Sequence, residues 1–101
     1  MSKKRKVIWD NEARSYLRQA IAYIRKDSPQ NADNVKKDIL ASVRSLTSYP
    51  EKQYAPDKFR KNNDGSYRAY EIHHFRISYF ISDEVIRIVR IRHTGMEPKG
   101  Y

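Results

Sequence analysis

The chain has 101 residues and no cysteine, and its 21 Lys and Arg against 12 Asp and Glu give a formal charge of +9. This length suits one domain with one core, so we expect a single domain over residues 1–101. Without cysteine there are no disulfides, thiol nucleophiles or Cys-based zinc sites. No apolar run approaches membrane-spanning length, and the lack of cysteine agrees with a reducing cytosol, so we expect a soluble cytoplasmic protein. Its positive field favours a polyanionic or acidic partner.

The N-terminal half begins with a β-prone run over residues 4–9. Asp10 or Asn11 then stands where a helix N-cap is needed. Apolar residues recur at three- and four-residue spacing over roughly 11–26, which predicts an amphipathic helix. A strand is therefore expected to lead directly into a helix.

A second helix is predicted over roughly 29–47. Ser28 is a good N-cap, and Pro29 is tolerated at the first helical position because its missing N–H is not needed there. The apolar stripe continues at the same spacing. The short connection makes the two helices an antiparallel hairpin whose stripes face the core.

The C-terminal half has a different composition. Residues 50–65 contain prolines, a glycine and a basic cluster, which is typical of a loop. Residues 67–93 are rich in β-branched and aromatic residues and are divided by His73-His74 and Ser82-Asp83-Glu84 into three runs of strand length. We therefore predict an α+β fold with an N-terminal strand and a two-helix hairpin packed on a small twisted antiparallel sheet.

The period of two assigns the side chains of these strands to faces. In the second run it places Ile77, Tyr79 and Ile81 on one face. In the third run it places Val85, Val89 and Ile91 on one face, with Ile86, Ile88, Arg90 and Arg92 on the other. Apolar residues on both faces predict that this last strand is central.

Basic residues in this half form a candidate phosphate-binding site. Arginine binds phosphate through several hydrogen bonds, and histidine or tyrosine can move a proton during metal-free RNA cleavage. Alternatively, the strand arginines are solvated or bind an acidic partner. The three histidines do not predict a metal site, because adjacent residues on a strand point to opposite faces, and we expect no cofactor. The candidate target- or phosphate-binding residues are Lys58, Arg60, Arg68, Arg76, Arg90, Arg92 and His93.

Three segments carry a resemblance to a known family. They are Tyr67-Arg68, Phe75-Arg76-Ile77-Ser78-Tyr79 and Ile86-Arg87-Ile88-Val89-Arg90-Ile91-Arg92-His93, and they follow two helices of the predicted length. In this order they resemble the RelE/ParE superfamily of toxins from type II toxin–antitoxin pairs. The resemblance covers essentially the whole chain.

The superfamily implies two alternative activities. RelE-like members cut messenger RNA on the ribosome, whereas ParE-like members inhibit DNA gyrase and lack the catalytic set. His93-Thr94-Gly95-Met96 is similar to the ParE-type ending and favours gyrase inhibition. If the chain were RelE-like, the resemblance implies Arg76, Arg92, His93 and Tyr101 as catalytic residues.

The family also implies a protein partner, a cognate acidic antitoxin that lies over the helix hairpin and the sheet and folds as it binds. A non-toxic nucleic-acid-binding module is a further alternative, which predicts salt-sensitive binding without toxicity. The residues expected to contact the antitoxin are Leu17, Ile21, Ile39, Val43, Arg76 and Arg87.

Overall fold

The computed structural model describes residues 5–48 and 54–94. In these ranges two helices pack on one four-stranded sheet, which confirms the α+β class and the helix hairpin. The elements in chain order are β1 (Lys6–Trp9), α1 (Asn11–Asp27), α2 (Pro29–Ser45), β2 (Tyr67–Ile72), β3 (Phe75–Ile81) and β4 (Val85–His93).

The two helices begin differently. Ser28 caps α2 as predicted, since its Oγ accepts a hydrogen bond from the Asn31 N–H at 3.1 Å, and Pro29 follows it. Asp10 occupies the N-cap position of α1, but its side chain makes no cap bond. Its Oδ1 instead accepts from Arg87 Nη1 at 3.0 Å, which ties the start of α1 to β4.

The strand order is β1-β4-β3-β2, so β4 is central, as predicted. The pairs β2–β3 and β3–β4 are antiparallel, but β1 pairs with β4 in parallel. The sheet is therefore mixed, and the antiparallel prediction holds for its three C-terminal strands. Composition identified β1 as a strand, but it carries no information on the direction of the neighbour with which it pairs.

A β-bulge corrects the predicted faces of β4. Tyr79 is opposite Ile88 and Ser78 is opposite Arg90, so Val89 has no partner on β3. This extra residue interrupts the period of two. The side chains buried against the helices are consequently Ile86, Ile88 and Ile91, each 0% exposed, and the predicted grouping of Val85, Val89 and Ile91 was wrong.

The core lies between the helix hairpin and one face of the sheet. The predicted helix stripes supply much of it, and four of their members are buried with exposures of 8% for Leu17, 6% for Ile21, 0% for Ile39 and 2% for Val43. On the sheet, Ile77 and Tyr79 are fully buried as predicted. The apolar faces of both helices are thus buried against the sheet.

The histidine pair forms the β2–β3 turn. His73 and His74 have φ angles of 51° and 64°, as the tight turns of β-hairpins require. His73 Nε2 lies 2.7 Å from Asp38 Oδ2 on α2. Within residues 5–48 and 54–94, no group of three or more His, Cys, Asp or Glu residues could hold a metal ion. None of the helices in those ranges combines the length and apolarity needed to cross a membrane.

Candidate functional site

Arg76 lies on the sheet face that points away from the helices, and its guanidinium pairs with carboxylates of the same chain. Its Nη2 donates to Asp57 Oδ1 at 2.7 Å, and the Asp57 side chain is completely buried. The guanidinium also lies 4.6 Å from the centre of the Phe59 ring and 3.8 Å from Glu71. With only 14% of its side chain exposed, Arg76 joins the loop to β3.

The loop that delivers Asp57 is held to β2 by side-chain and backbone bonds. Asn63 Oδ1 accepts from the Gly65 and Tyr67 N–H groups, and its Nδ2 donates to the Tyr67 carbonyl at 2.7 Å. The Asp57 N–H donates to the same carbonyl at 2.8 Å. These bonds hold Asp57 against the outer face of the sheet, where the Arg76 side chain projects from β3.

Burial raises the pKa of Asp57, but hydrogen bonds from Arg76 and the Phe59 N–H, the charge of Arg76 and the Ser78 hydroxyl outweigh burial, so the net pKa is lowered from 3.8. A lowered folded-state pKa contributes stability that is fully present above the unfolded-state pKa and is lost as the pH falls through the folded value. We therefore expect the free energy of unfolding to fall below about pH 4.

Urea unfolding at a series of pH values measures this dependence, and Asp57→Asn should flatten it. Asp64→Asn is the control. The pKa of Asp64 is also lowered, by hydrogen bonds from Ser66, but its carboxylate is exposed and should affect stability less. An unchanged acid dependence in Asp57→Asn would show that the ion pair does not govern it.

Arg92 is opposite Arg76 in the β3–β4 register, but the two guanidinium groups diverge. Arg76 turns towards Asp57, whereas Arg92 Nη1 donates to the Ile91 carbonyl at 2.7 Å, at the other edge of β4. Arg92 also lies 4.9 Å from the centre of the Tyr16 ring on α1. The divergence separates like charges, and the contacts of the two guanidinium groups direct them to different places.

The other candidate phosphate-binding residues are spread over both faces of the sheet. Arg68 and His93 are opposite Tyr79 and Phe75, which belong to the core face. Arg68 donates to the Tyr54 and Gly65 carbonyls. Arg90 lies on the outer face. The structure thus does not assemble the predicted set.

The basic loop lies against the outer face of the sheet. Arg60 stacks on the Tyr67 ring at 3.6 Å, and Lys58 Nζ is 5.2 Å from the Phe59 ring. These contacts extend the basic outer face beyond β2. Tyr101, the last residue of the catalytic set implied by the resemblance, lies outside the described residues.

The residues expected to contact an antitoxin differ in how far they are exposed. Leu17, Ile21, Ile39 and Val43 are buried in the core, because the apolar stripes that predicted the helices are the surfaces by which the helices pack. Arg76 is mostly buried. The side chain of Arg87 is 47% exposed on the outer face, although it pairs with Asp10.

Sequence reasoning missed a groove of about 750 Å³ between the helix hairpin and the β2–β3 turn. Tyr23, which is 69% exposed, lies off the helix stripe and was not recognised as part of a surface. The role of Asp57 as the partner of Arg76 was missed as well. The signal for it in the sequence was its acidic side chain next to a basic cluster. The residues that line the groove include Tyr16, Ala20, Tyr23, Ile24, Phe75 and His93.

Comparison with solved structures identifies the fold. A chain described as "Chromosomal ParDE TA system from P. aeruginosa" superposes with a TM-score of 0.70 at 17% identity, covering 89% of this chain and 96% of that one. A comparison with curated proteins gave no significant match. A family profile described as the ParE toxin of the type II toxin–antitoxin system parDE matches residues 7–98. The chain therefore belongs to the ParE toxin family and is a toxin of the type II class.

Proposed function

We propose that this toxin arrests growth by inhibiting DNA gyrase in the bacterial cytoplasm and that a cognate acidic antitoxin neutralises it. Membership of the ParE family over residues 7–98 supports the gyrase-inhibiting branch. The observation that carries the choice against RNA cleavage is the ion pair between Arg76 and the buried Asp57. An arginine that already neutralises a buried carboxylate is poorly placed to stabilise phosphate charge in a transition state.

The positions of the other candidate catalytic groups support the same choice. RNA cleavage requires arginine and a proton-transferring group to converge on one phosphate. Here Arg92 is directed to the edge of β4 that faces away from β3, and His93 lies on the core face beside Phe75, with ring centroids 5.6 Å apart. Inhibition of a protein target requires a surface, and the surface proposed for it is the basic outer face together with loop residues 54–66.

Charge supports an acidic antitoxin. The formal charge of +9 attracts an acidic chain and speeds its association. Arg87 and Lys58 on the outer face offer exposed cations to such a chain. A disordered acidic segment that folds on this surface would cover a large area.

The test measures supercoiling of relaxed plasmid by purified gyrase in the presence of the purified toxin. We expect supercoiling to be inhibited and to recover when the antitoxin encoded beside the toxin gene is added. In cells, induction should activate the DNA-damage response before translation stops. Translation arrest with cut messenger RNA and unaffected gyrase would overturn the proposal in favour of a ribosome-dependent nuclease.

The double variant Asp57→Asn/Arg76→Gln sharpens the choice between the two activities. It removes both charges together and keeps groups that can hydrogen-bond, so the loop remains attached to β3. A gyrase inhibitor in which Arg76 is structural should keep its toxicity in this variant. A nuclease that uses Arg76 in catalysis should lose it. Lys36→Ala, on an exposed face of α2, is the matched control.

A further inference from the structure

The two adjacent histidines lie in a turn, where the strand rule for side-chain directions does not apply. The sequence-based expectation of no metal site rested on that rule. In the structure β2 ends at Ile72 and β3 begins at Phe75, so His73 and His74 form the turn itself, with φ angles of 51° and 64°. The directions of their side chains are therefore set by the turn, and each has its own neighbours.

His74 lies beside His93, the last residue of β4. The centres of the two imidazole rings are 6.4 Å apart, and the ring planes are inclined at 34°. Both residues are exposed and line the groove of about 750 Å³. Because Zn–N bonds measure about 2.0–2.1 Å, two imidazoles that share one ion have ring centres roughly 5 to 6 Å apart. A small rotation of either ring therefore brings the pair to the spacing of metal ligands.

The surrounding structure holds these two histidines close to each other. The Thr94 N–H donates to the His74 carbonyl at 2.7 Å, which joins the turn to the end of β4. The Phe75 and His93 rings pack edge to face, with centres 5.6 Å apart. Because the fold brings the two imidazoles together before an ion arrives, less conformational entropy is lost when the ion binds.

His73, the other histidine of the turn, is directed to α2. Its Nε2 lies 2.7 Å from Asp38 Oδ2. Because residues 5–48 and 54–94 contain no group of three or more metal-ligating side chains, His74 and His93 supply two protein ligands there. An ion held by two imidazoles keeps coordination positions open for water or for a donor atom of another molecule.

We propose that His74 and His93 bind Zn²⁺ between the β2–β3 turn and the end of β4. Imidazole nitrogen suits Zn²⁺, Ni²⁺ and Cu²⁺, whereas Mg²⁺ prefers oxygen ligands. Water completes the coordination of the bound ion. The site joins two segments that are distant in the sequence, and it does not depend on the proposed gyrase target.

The test is a calorimetric titration of the untagged protein with Zn²⁺ in a buffer that does not bind metals. His74→Asn and His93→Gln each remove one of the two protein ligands, so the dissociation constant for Zn²⁺ should rise at least about tenfold. His73→Asn is the matched control and should leave the dissociation constant unchanged. Asparagine replaces histidine at both turn positions because it tolerates a positive φ angle.

The choice of ion and the place where it binds are checked separately. Cu²⁺ should bind more tightly than Zn²⁺, following the order of affinities at nitrogen ligands, and Mg²⁺ should not bind. In nuclear magnetic resonance spectra of protein with isotopically labelled histidine, Zn²⁺ should shift the ring nitrogens of His74 and His93 far more than those of His73. This measurement uses the wild-type chain, so it decides the matter even where a variant does not fold.

A wild-type protein that binds neither Zn²⁺ nor Cu²⁺ would overturn the metal site. The same conclusion would follow if wild type, His74→Asn and His93→Gln had equal affinities, or if only His73→Asn lost the ion. Mg²⁺ binding as tight as that of Zn²⁺ would also contradict a site of two imidazoles. The supercoiling assay needs no added Zn²⁺, so failure of the metal site leaves the proposed function standing, and failure of gyrase inhibition leaves the metal site standing.

Discussion

Replacing Arg76 by alanine should lower the free energy of unfolding by about 3 kcal/mol, because it leaves a buried carboxylate without its counter-charge. The Asp57 side chain is completely buried, and only 14% of the Arg76 side chain is exposed. The variant would also remove the group that stacks on Phe59. The loss should therefore exceed that of a surface ion pair several-fold.

Urea unfolding followed by the fluorescence of Trp9, the only tryptophan, measures this loss. Asp57→Asn/Arg76→Gln should recover much of the stability, because neither charge remains. Arg87→Ala is the control, since it breaks the more exposed pair with Asp10 and should cost less than about 1 kcal/mol. Equal midpoints for Arg76→Ala and wild type would contradict a structural role for this ion pair.

Ile39→Ala should lower the free energy of unfolding by about 3 to 4 kcal/mol, because it leaves a cavity beneath α2. Ile39 is 0% exposed and belongs to the same core cluster as Ile77 and Tyr79. The affinity of the folded variant for the antitoxin should be unchanged, since the side chain is not at the surface. Urea unfolding and a titration with the antitoxin at low temperature measure the two quantities.

Ile39→Val is the graded control, with an expected cost of about 1 kcal/mol. Ala41→Ser, at an exposed position of the same helix, should change neither stability nor affinity. A folded Ile39→Ala variant that binds the antitoxin much more weakly would show that the stripe opens to the partner. That result would restore the expectation that these apolar residues form the interface.

Local signals in the sequence predicted the helices well, because those signals also determine where helices form. Ser28 and Pro29 set the start of α2, and spacing of three and four residues marked the faces that pack. The direction of β1 was not predictable in this way. Its pairing with β4 joins segments about 80 residues apart, and no local pattern specifies such a contact.

The sequence singled out candidate site residues but not their arrangement. The strand pattern marked Arg76 and Arg92 as unusual side chains on a sheet. It could not reveal that Asp57 binds the first and that the Ile91 carbonyl accepts from the second, because each partner depends on the tertiary fold. Arginines for which the sequence predicted one shared function thus make different contacts, Arg76 in a buried ion pair and Arg92 at a strand edge.

The unpaired Val89 has a consequence for how this strand tolerates changes in length. On its two sides, Val85-Ile86-Arg87-Ile88 and Arg90-Ile91-Arg92-His93 follow one uninterrupted alternation of outward and inward side chains if Val89 is skipped. Deleting Val89 would therefore keep each flanking residue on its own face. A deletion elsewhere in β4 would turn apolar residues outward unless the bulge moved to compensate. Val89 is thus the position at which β4 can lose one residue without exchanging its core for its surface.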